Sequence, residues 1–432
     1  MAAPSSLARC QLSQTGFLRD LSLLCAHRGI LQTQGRSISG GQTFFSARKA
    51  PLRKEPEKVE IPGLELVTYA DRMHYVPGLN RPKPQKWERD FKDPRYYRSP
   101  PPTMMKLYKE KPCYVYNQRS NVLEGVPQAA WLTKTKVIPT LPPQLLSLAE
   151  SSTDVIPNQE ERVQNAIKQA RFWDTTETRT PKERYSVTLL HNLLHLCASL
   201  QPSHPALSRR ILAESYDLGA TWTRGDELFQ IRGRSGLIHC SMDPLPVISE
   251  RSEVHSTADH VLETFYPVSP TIDLQKLYVY KENINCTGFL DGCLYPHAHT
   301  LYFFEVETQY RLRPEQFRAK MVMFAFGNAL ARAHKLHGTD PQPLLDRPIT
   351  VQAVGTNGRI FQFMVFQLNT TDLSGDDGVK NQIWIDEDVE LYDFAKVRPL
   401  IKKKVVQVPA GLAGYKPEVF RKFLALYLHG AV

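Results

Sequence analysis

Two stretches of the sequence place histidines close enough together to suggest metal chemistry. In the first, HNLLH, His191 and His195 lie one helical turn apart, which is the spacing found in zinc proteases. Asn192 stands where such an enzyme needs its glutamate base, so a metal bound there would have no proton acceptor. We therefore interpret both histidines as residues on the surface of a helix or at the edge of the core.

The second stretch is CTGFLDGCLYPHAH, which contains Cys286, Cys293, His297 and His299. Structural zinc sites usually separate their cysteines by about two to four residues and their histidines by about three to five. Neither spacing occurs here. The pattern favours a chance cluster within a loop over a metal site.

A group of carboxylates between residues 376 and 388 could in principle hold a divalent metal. Its members are Asp376, Asp377, Asp386, Glu387 and Asp388. Consecutive acids usually belong to a solvated loop, and that is the interpretation we adopt. The sequence also lacks a P-loop, a dinucleotide-binding fingerprint and a G-x-S-x-G nucleophile elbow. It therefore predicts no catalytic residue, no metal and no cofactor, and we expect that the protein is not an enzyme.

Residues 81–98 combine seven cations with only three acids and four aromatic residues. Cations bind phosphates with release of counterions, and flat rings stack on unpaired bases. The candidate RNA-binding residues here are Arg81, Lys83, Lys86, Arg89, Lys92, Arg95, Tyr96, Tyr97 and Arg98, and a second cationic run adds Lys402, Lys403 and Lys404. The alternative, an arm packed on its own domain with its charges in water, explains the pattern equally well.

The first 50 residues have the composition of a mitochondrial transit peptide. They carry six cations and one acid, are rich in serine and leucine, and have no apolar run long enough for a secretory signal. We expect cleavage between about residues 30 and 50 and a location in the mitochondrial matrix. Removal of this segment would halve the net charge of +10, so the mature chain would be only moderately basic.

Two further observations agree with a matrix protein. No run of about eighteen apolar residues occurs, so we expect no transmembrane helix. Five of the seven cysteines follow the expected transit peptide, at scattered positions that do not resemble a disulfide framework.

The remaining chain divides into an arm and a globular part. Ten of the 52 residues from 51 to 102 are proline, which disfavours helices and central strands. We expect an extended, proline-rich basic and aromatic arm over residues 51–104, followed by a globular domain over residues 105–432. The fold class is α+β: a mixed sheet with covering helices.

Hydrophobic periodicity, caps and turn residues predict the main elements of that domain. The expected helices cover residues 158–173, 187–200, 207–215, 314–334 and 417–429. The expected strands cover residues 220–224, 228–232, 300–306, 349–355 and 359–368. Asn357 and Gly358 predict a hairpin between the last two strands, and the second of these should be a covered central strand. The last helix is so apolar that it must dock on its own domain or on a neighbour.

Several long strings resemble one protein family. They are DPRYYRSPPP, LEGVPQAAWLTKTK, HVLETFYPVSPTIDL, RAKMVMFAFGNALA, VFQLNTTDL and KPEVFRKFLALYLHGAV. Together they resemble a family of mitochondrial ribosomal proteins in which a large-subunit protein has a paralogue once assigned to the small subunit as protein thirty. The resemblance extends from about residue 61 to the C-terminus.

This resemblance implies a structural constituent of the mitochondrial large ribosomal subunit that supports mitochondrial translation. Its partners would be large-subunit ribosomal RNA and neighbouring ribosomal proteins, including the paralogue, and no small-molecule substrate. The family supplies no catalytic residue or cofactor. Two alternatives stay open: a metal-dependent hydrolase of the matrix that uses His297, His299 and an acid from residues 376–388, and a free RNA-binding regulator.

Overall fold

The computed structural model describes residues 100–151, 156–172, 182–234, 236–265, 267–282, 285–305, 312–396, 399–402 and 405–432. All of them belong to one compact unit, Pro94–Val432. The helices of this part of the chain are α1 (Val126–Leu132), α2 (Pro143–Glu150), α3 (Gln159–Phe172), α4 (Lys182–Ala198), α5 (Arg251–Ser256), α6 (Pro314–His337) and α7 (Pro417–Leu428). None of these helices is long and apolar enough to cross a membrane.

Sixteen strands accompany the helices in the described part of the chain. They are β1 (Tyr108–Tyr116), β2 (Thr135–Pro139), β3 (Arg210–Glu214), β4 (Asp217–Arg224), β5 (Glu227–Arg234), β6 (Leu237–Ser241), β7 (Gln275–Val279), β8 (His297–Phe304), β9 (Ile349–Thr356), β10 (Ile360–Leu368), β11 (Asn381–Ile385), β12 (Val389–Glu390), β13 (Phe394–Lys396), β14 (Leu400–Lys402), β15 (Val405–Val408) and β16 (Gly411–Ala413).

Most strands belong to two mixed sheets. The larger sheet has the order β2-β11-β10-β9-β8-β6-β3, with β12 paired to β10, and the smaller has the order β4-β5-β1-β7. The pairs β2 with β11, β8 with β9 and β1 with β5 are parallel, and the other pairs of these sheets are antiparallel. The predicted α+β class with a mixed sheet is confirmed.

Strand β10 shows how the larger sheet is covered on both sides. Residues two apart along a strand point to the same face. Phe361, Phe363 and Val365 accordingly join one hydrophobic cluster, and Met364, Phe366 and Leu368 join the other. All six are at most 1% exposed. The prediction of a covered central strand is confirmed.

Helix α6 lies between the two sheets, and therefore most of its surface is apolar. Gly327 on the helix lies so close to the smaller sheet that an added Cβ would come within 2.9 Å of Ile231 Cγ2. On the larger sheet, a Cβ at Gly355 of β9 would come within 2.4 Å of Met321 Sδ on α6. The two glycines allow the backbones to approach closely enough for one helix to fill the space between the sheets.

The other face of the larger sheet is covered by helices α2, α3, α4 and α7. The aromatic ring of Phe423 on α7 lies 6.2 Å from that of Tyr302 on β8 and 6.3 Å from that of Phe361 on β10, between ring centroids. The C-terminal helix thus docks on the sheet of its own domain. This was one of the two outcomes predicted from its apolar sequence.

The β9–β10 hairpin turns where the sequence predicts. Gly358 has a φ of 85°, a left-handed conformation that other residues rarely adopt. Asn357 Oδ1 accepts hydrogen bonds from the backbone nitrogens of Arg359 and Ile360 at 3.0 and 2.9 Å. The predicted strands over residues 220–224 and 228–232 are confirmed as parts of β4 and β5, which form a second hairpin with Gly225 at a φ of 58°.

The predicted helix over residues 207–215 is wrong. The chain instead forms a 3-10 helix, Pro205–Arg209, followed by strand β3. β3 pairs with β6 from Arg210 opposite Ser241 to Glu214 opposite Leu237. Tertiary pairing at the sheet edge overrides a local pattern that fits a helix as well as a strand. At the described end of the expected arm, Pro102–Met104 forms one 3-10 turn that accommodates proline in its first position.

Candidate functional site

Nearly all of the predicted RNA-binding residues lie outside the described residues. This holds for the nine candidates between Arg81 and Arg98 and for Lys403 and Lys404. Lys402 is the last residue of β14. The RNA-binding role of these residues stays a prediction.

The residues of the hydrolase alternative do not form a common site. Among the described residues, no group of three histidine, cysteine or acidic side chains could hold a metal ion. His299 is fully buried, and its imidazole donates from Nε2 to the backbone oxygen of His429 at 3.0 Å. His191 lies on the surface of α4, 3.6 Å from Glu214, and His195 is exposed, as predicted for surface histidines.

The solvated-loop interpretation of the acids is wrong for Asp386 and Asp388, which are not exposed and pair with Lys422 and Arg318. Asp376 is 61% exposed in its loop, as predicted, and also pairs with Arg224. The reason is that these three carboxylates tie surface loops to the body of the fold. They are used for structure and do not converge on one point.

A cluster of buried polar side chains holds the C-terminal end of α7. Arg210 donates to the backbone oxygens of Tyr427 and His429, the second at 2.7 Å. Gln352 Nε2 donates to His429 Nδ1 at 3.0 Å. Carbonyl groups at the end of a helix have no partner within the helix, and a cation there is favourable. This cluster anchors α7.

We predict that three buried histidines near Arg210 make the stability of the fold sensitive to acid. Burial, reinforced by nearby Arg210, lowers the pKa of His239 and of His429 to about 4, and that of His299 well below its usual value. The unfolded chain binds protons on these residues below about pH 6.5, while the folded chain does not. The free energy of unfolding is therefore expected to fall as the pH decreases from about 6.5 to about 4. Urea unfolding at pH 7.5 and pH 5 measures this loss.

The matched variant for this test is His239→Leu. His239 Nδ1 has no hydrogen-bond partner among the described residues, so leucine removes a titratable group without breaking a bond at that atom. We expect a smaller difference in stability between pH 7.5 and pH 5 than in the unmodified chain. An unchanged difference would show that His239 does not contribute to the acid sensitivity.

Strands β1 and β7, at the edge of the smaller sheet, carry exposed cations and aromatic rings. We call this the β1–β7 basic surface, and its exposed lysines are Lys106, Lys109, Lys111, Lys276 and Lys281. The rings of Tyr108 and Tyr278 stack across the two strands with centroids 6.4 Å apart. Lysines beside exposed aromatic rings can bind phosphates and stack on bases, as RNA contact requires.

The electrostatics of this surface favour an anionic partner. The nearest acidic neighbour in an ion pair is Glu282, whose Oε1 lies 3.7 Å from Lys109 Nζ. Both side chains of that pair are almost half exposed, so it stabilises the fold very little. Lys276 Nζ lies 5.8 Å from the ring centroids of both Tyr114 and Tyr278. Within the described part of the chain, no other ion pair involves these lysines.

A second exposed element is the hairpin of β14 and β15. Ile401 and Val406 lie directly opposite each other and are 57% and 54% exposed. A hairpin of two strands is only marginally stable in water without further packing. In the sequence, the run Lys402, Lys403 and Lys404 begins at the end of β14, next to this apolar pair. This arrangement suits contact with another macromolecule.

Comparison with known proteins identifies the class of this protein as ribosomal. A family model described as "Mitochondrial 28S ribosomal protein S30 (PDCD9)" matches residues 305–429, the segment from the end of β8 through α7. This family match covers less than a third of the chain.

Relatives that match almost the whole chain define the family more closely. Large ribosomal subunit protein mL37 of Gallus gallus is 51% identical over 388 residues, 89% of each chain. The protein of the same name from Mus musculus is 51% identical over 389 residues, 90% of this chain and 92% of its own. The one from Bos taurus is 50% identical over 375 residues, 86% of this chain and 88% of its own.

The chain belongs to the family of large ribosomal subunit protein mL37. It is therefore a ribosomal protein of the mitochondrial large subunit and not an enzyme. The small-subunit name of the family model and the large-subunit name of the relatives agree with the predicted family of paralogues. The predicted resemblance is confirmed.

The β1–β7 basic surface was missed in the sequence analysis. Its signal was present in KLYKEKPCYVY, residues 106–116, and in KLYVYK, residues 276–281, where lysines alternate with tyrosines. The two segments are more than 150 residues apart, and only their pairing in the sheet brings the rings together. No local pattern predicts that pairing.

Proposed function

We propose that this chain supports mitochondrial translation as a structural constituent that contacts large-subunit ribosomal RNA. The observation that carries the proposal is the similarity to large ribosomal subunit protein mL37 over about nine-tenths of both chains. The β1–β7 basic surface and the cationic segment of residues 81–98 supply the contacts. Lysine and arginine would bind phosphates, and tyrosine would stack on unpaired bases.

The proposal assigns a separate role to each of three parts of the chain. Residues 1–50 act as a transit peptide that is removed on import, and residues 51–104 form an arm that binds RNA or an adjacent protein. Residues 105–432 form the globular part, and the described end of the arm leads directly into β1.

A ribosomal-protein neighbour completes the proposal. We infer that the paralogue is one such neighbour, as the resemblance to the family implies. The exposed pair Ile401 and Val406 on the β14–β15 hairpin offers apolar area for a protein contact. Crosslinking of assembled large subunits through cysteines introduced at these two positions would identify the neighbour.

A sucrose gradient of lysed mitochondria tests the main proposal. We expect this protein to sediment with large-subunit RNA both before and after a high-salt wash. Sedimentation as a free protein would contradict a constitutive role. Release by the wash alone would favour the free RNA-binding regulator.

We predict that neutralising the lysines of the β1–β7 basic surface lowers the affinity of the protein for RNA. We expect the five substitutions Lys106→Gln, Lys109→Gln, Lys111→Gln, Lys276→Gln and Lys281→Gln to weaken binding to large-subunit RNA. Each lost phosphate contact should reduce the slope of log affinity against log salt by about 0.7 to 0.9. The melting temperature should change little, because the five side chains are exposed. Filter binding at several salt concentrations measures both quantities.

A charge-matched control removes five exposed cations from other places. It combines Lys168→Gln, Arg209→Gln, Arg251→Gln, Lys396→Gln and Arg421→Gln. We expect this control to keep most of the RNA affinity. Equal losses in the two variants would mean that net charge, and not the β1–β7 basic surface, governs binding.

A further inference from the structure

A cavity of about 540 Å³ lies at the start of strands β8 and β9, beside the C-terminal half of α6. These two strands are parallel neighbours joined through α6. Asn328, Arg332 and Leu336 line the cavity from one face of the helix, because they are spaced four residues apart. The volume falls within the range of about 300 to 1,000 Å³ that is typical of small-molecule sites.

Two polar side chains in this cavity lack partners within the described part of the chain. The Nε of Arg332 is buried without a hydrogen bond, and no ion pair joins this guanidinium to any described acid. The hydroxyl of Thr350 is also unpartnered, and this residue is only 3% exposed. Buried polar groups in folded proteins are nearly always satisfied, so unpartnered ones that line a cavity suggest a ligand.

Besides Arg332, the aspartate and arginine residues that line the cavity are Asp346 and Arg347, and both are exposed. Leu245, Pro348 and Ile349 supply apolar walls. Burial, with the nearby Arg332 charge, lowers the pKa of His297 to about 4, which leaves its imidazole neutral at physiological pH. The rim residues Asp346 and Arg347 carry opposite charges. Arg332 is therefore the interior charge, and the cavity favours an anion.

We propose that this cavity binds a nucleoside monophosphate, either free or as an unpaired residue of RNA, with its phosphate on Arg332. The apolar walls would enclose the base, and the Thr350 hydroxyl and the Asn328 amide oxygen would contact its polar edge. A guanidinium pairs well with phosphate, and an extruded base fits a cavity with apolar sides. The site is separate from the β1–β7 basic surface and extends the function proposed above.

Binding of the four ribonucleoside monophosphates to the purified full-length protein tests the proposal. We expect saturable binding by isothermal titration for at least one of them, and much weaker binding of inorganic phosphate. Arg332→Gln should reduce the affinity about tenfold to a hundredfold, as loss of a charged hydrogen bond does. Thr350→Val should reduce it less and serves as an independent second variant.

The matched control is Lys335→Gln. Lys335 is on the same helix and carries the same charge, but it pairs with Asp291 outside the cavity. We expect unchanged nucleotide affinity in this variant. The melting temperature of Arg332→Gln should change little, because Arg332 forms no hydrogen bond or ion pair with the described residues. A clear drop would assign Arg332 a structural role and overturn the proposal.

Two other results would overturn the inference. One is the absence of saturable nucleotide binding, and the other is equal affinity in Arg332→Gln and the unmodified protein. A single-stranded oligoribonucleotide that competes with the bound nucleotide identifies RNA as the source, and failure to compete identifies a free nucleotide. Arg332→Gln is expected to sediment with the large subunit in either case, so the result is separate from the test of the ribosomal function.

Discussion

A chain truncated before Pro417 is expected not to fold. Helix α7 contributes six buried side chains of valine, leucine or phenylalanine to the cluster on the larger sheet: Val419, Phe420, Phe423, Leu424, Leu426 and Leu428. Each contributes about 1.5–3 kcal/mol when buried, so their sum matches or exceeds the roughly 5–15 kcal/mol by which a domain is stable. Truncation would also expose the faces of Phe361 and Tyr302 that α7 covers. Circular dichroism and limited proteolysis of the purified chain test the expectation.

A single substitution in α7 should reduce the stability by a measurable amount without abolishing folding. Phe420 is 0% exposed and stacks on Phe423 with ring centroids 6.2 Å apart. We expect Phe420→Ala to reduce the free energy of unfolding by about 3–5 kcal/mol. Arg421→Ala, on the exposed side of the same helix, should change it by about 0.5 kcal/mol or less. Similar losses in the two variants would contradict the view that packing of Phe420 stabilises α7.

Replacing Arg224 by methionine is the second change with a large expected effect. Its side chain is 1% exposed and joins three separate parts of the chain at the end of β4. Its Nε donates to the backbone oxygen of Trp131 at 3.0 Å, and Nη1 donates to the backbone oxygens of Leu373 and Gly375 at 3.2 and 2.6 Å. The guanidinium also lies 4.5 Å from the ring centroid of Trp131 and pairs with Asp376.

Methionine has a similar length but no donors, so three carbonyl oxygens would lose their partner. We expect Arg224→Met to reduce the free energy of unfolding by about 3–5 kcal/mol, measured by urea unfolding at pH 7.5. The control is Asp376→Asn, because Asp376 is 61% exposed and asparagine still offers an acceptor. We expect this control to lose much less. If the control loses as much as Arg224→Met, then the ion pair matters more than the bonds to the backbone.

Periodicity and turn chemistry predicted the elements whose partners are close in the sequence. The β9–β10 hairpin follows from Asn357 and Gly358, and α6 and α7 follow from long apolar patterns that begin on proline. In these elements the local preference and the tertiary environment agree. The prediction therefore did not depend on knowing the rest of the fold.

Elements that depend on distant partners were missed or misassigned. β3 was predicted as part of a helix because the residues around position 210 do not indicate that this segment pairs with β6. β1 and β7 were not predicted at all, since their alternation of lysine and tyrosine is too short to distinguish a strand from an exposed loop. The proposed nucleotide-binding cavity was missed for the same reason, because its walls come from segments up to about a hundred residues apart.

The sequence by itself determined the family, the α+β class and the absence of a recognisable catalytic motif. Long idiosyncratic strings, composition and motif spacing carry this information, and none of them needs a three-dimensional arrangement. The tertiary structure decided which charged side chains bond within the fold and which do not. Arg224 donates hydrogen bonds to backbone oxygens, while Lys276 and Arg332 form no ion pair with the described residues. Burial and pairing, on which that distinction depends, are properties of the assembled sheets and helices, so the printed residues could not supply it.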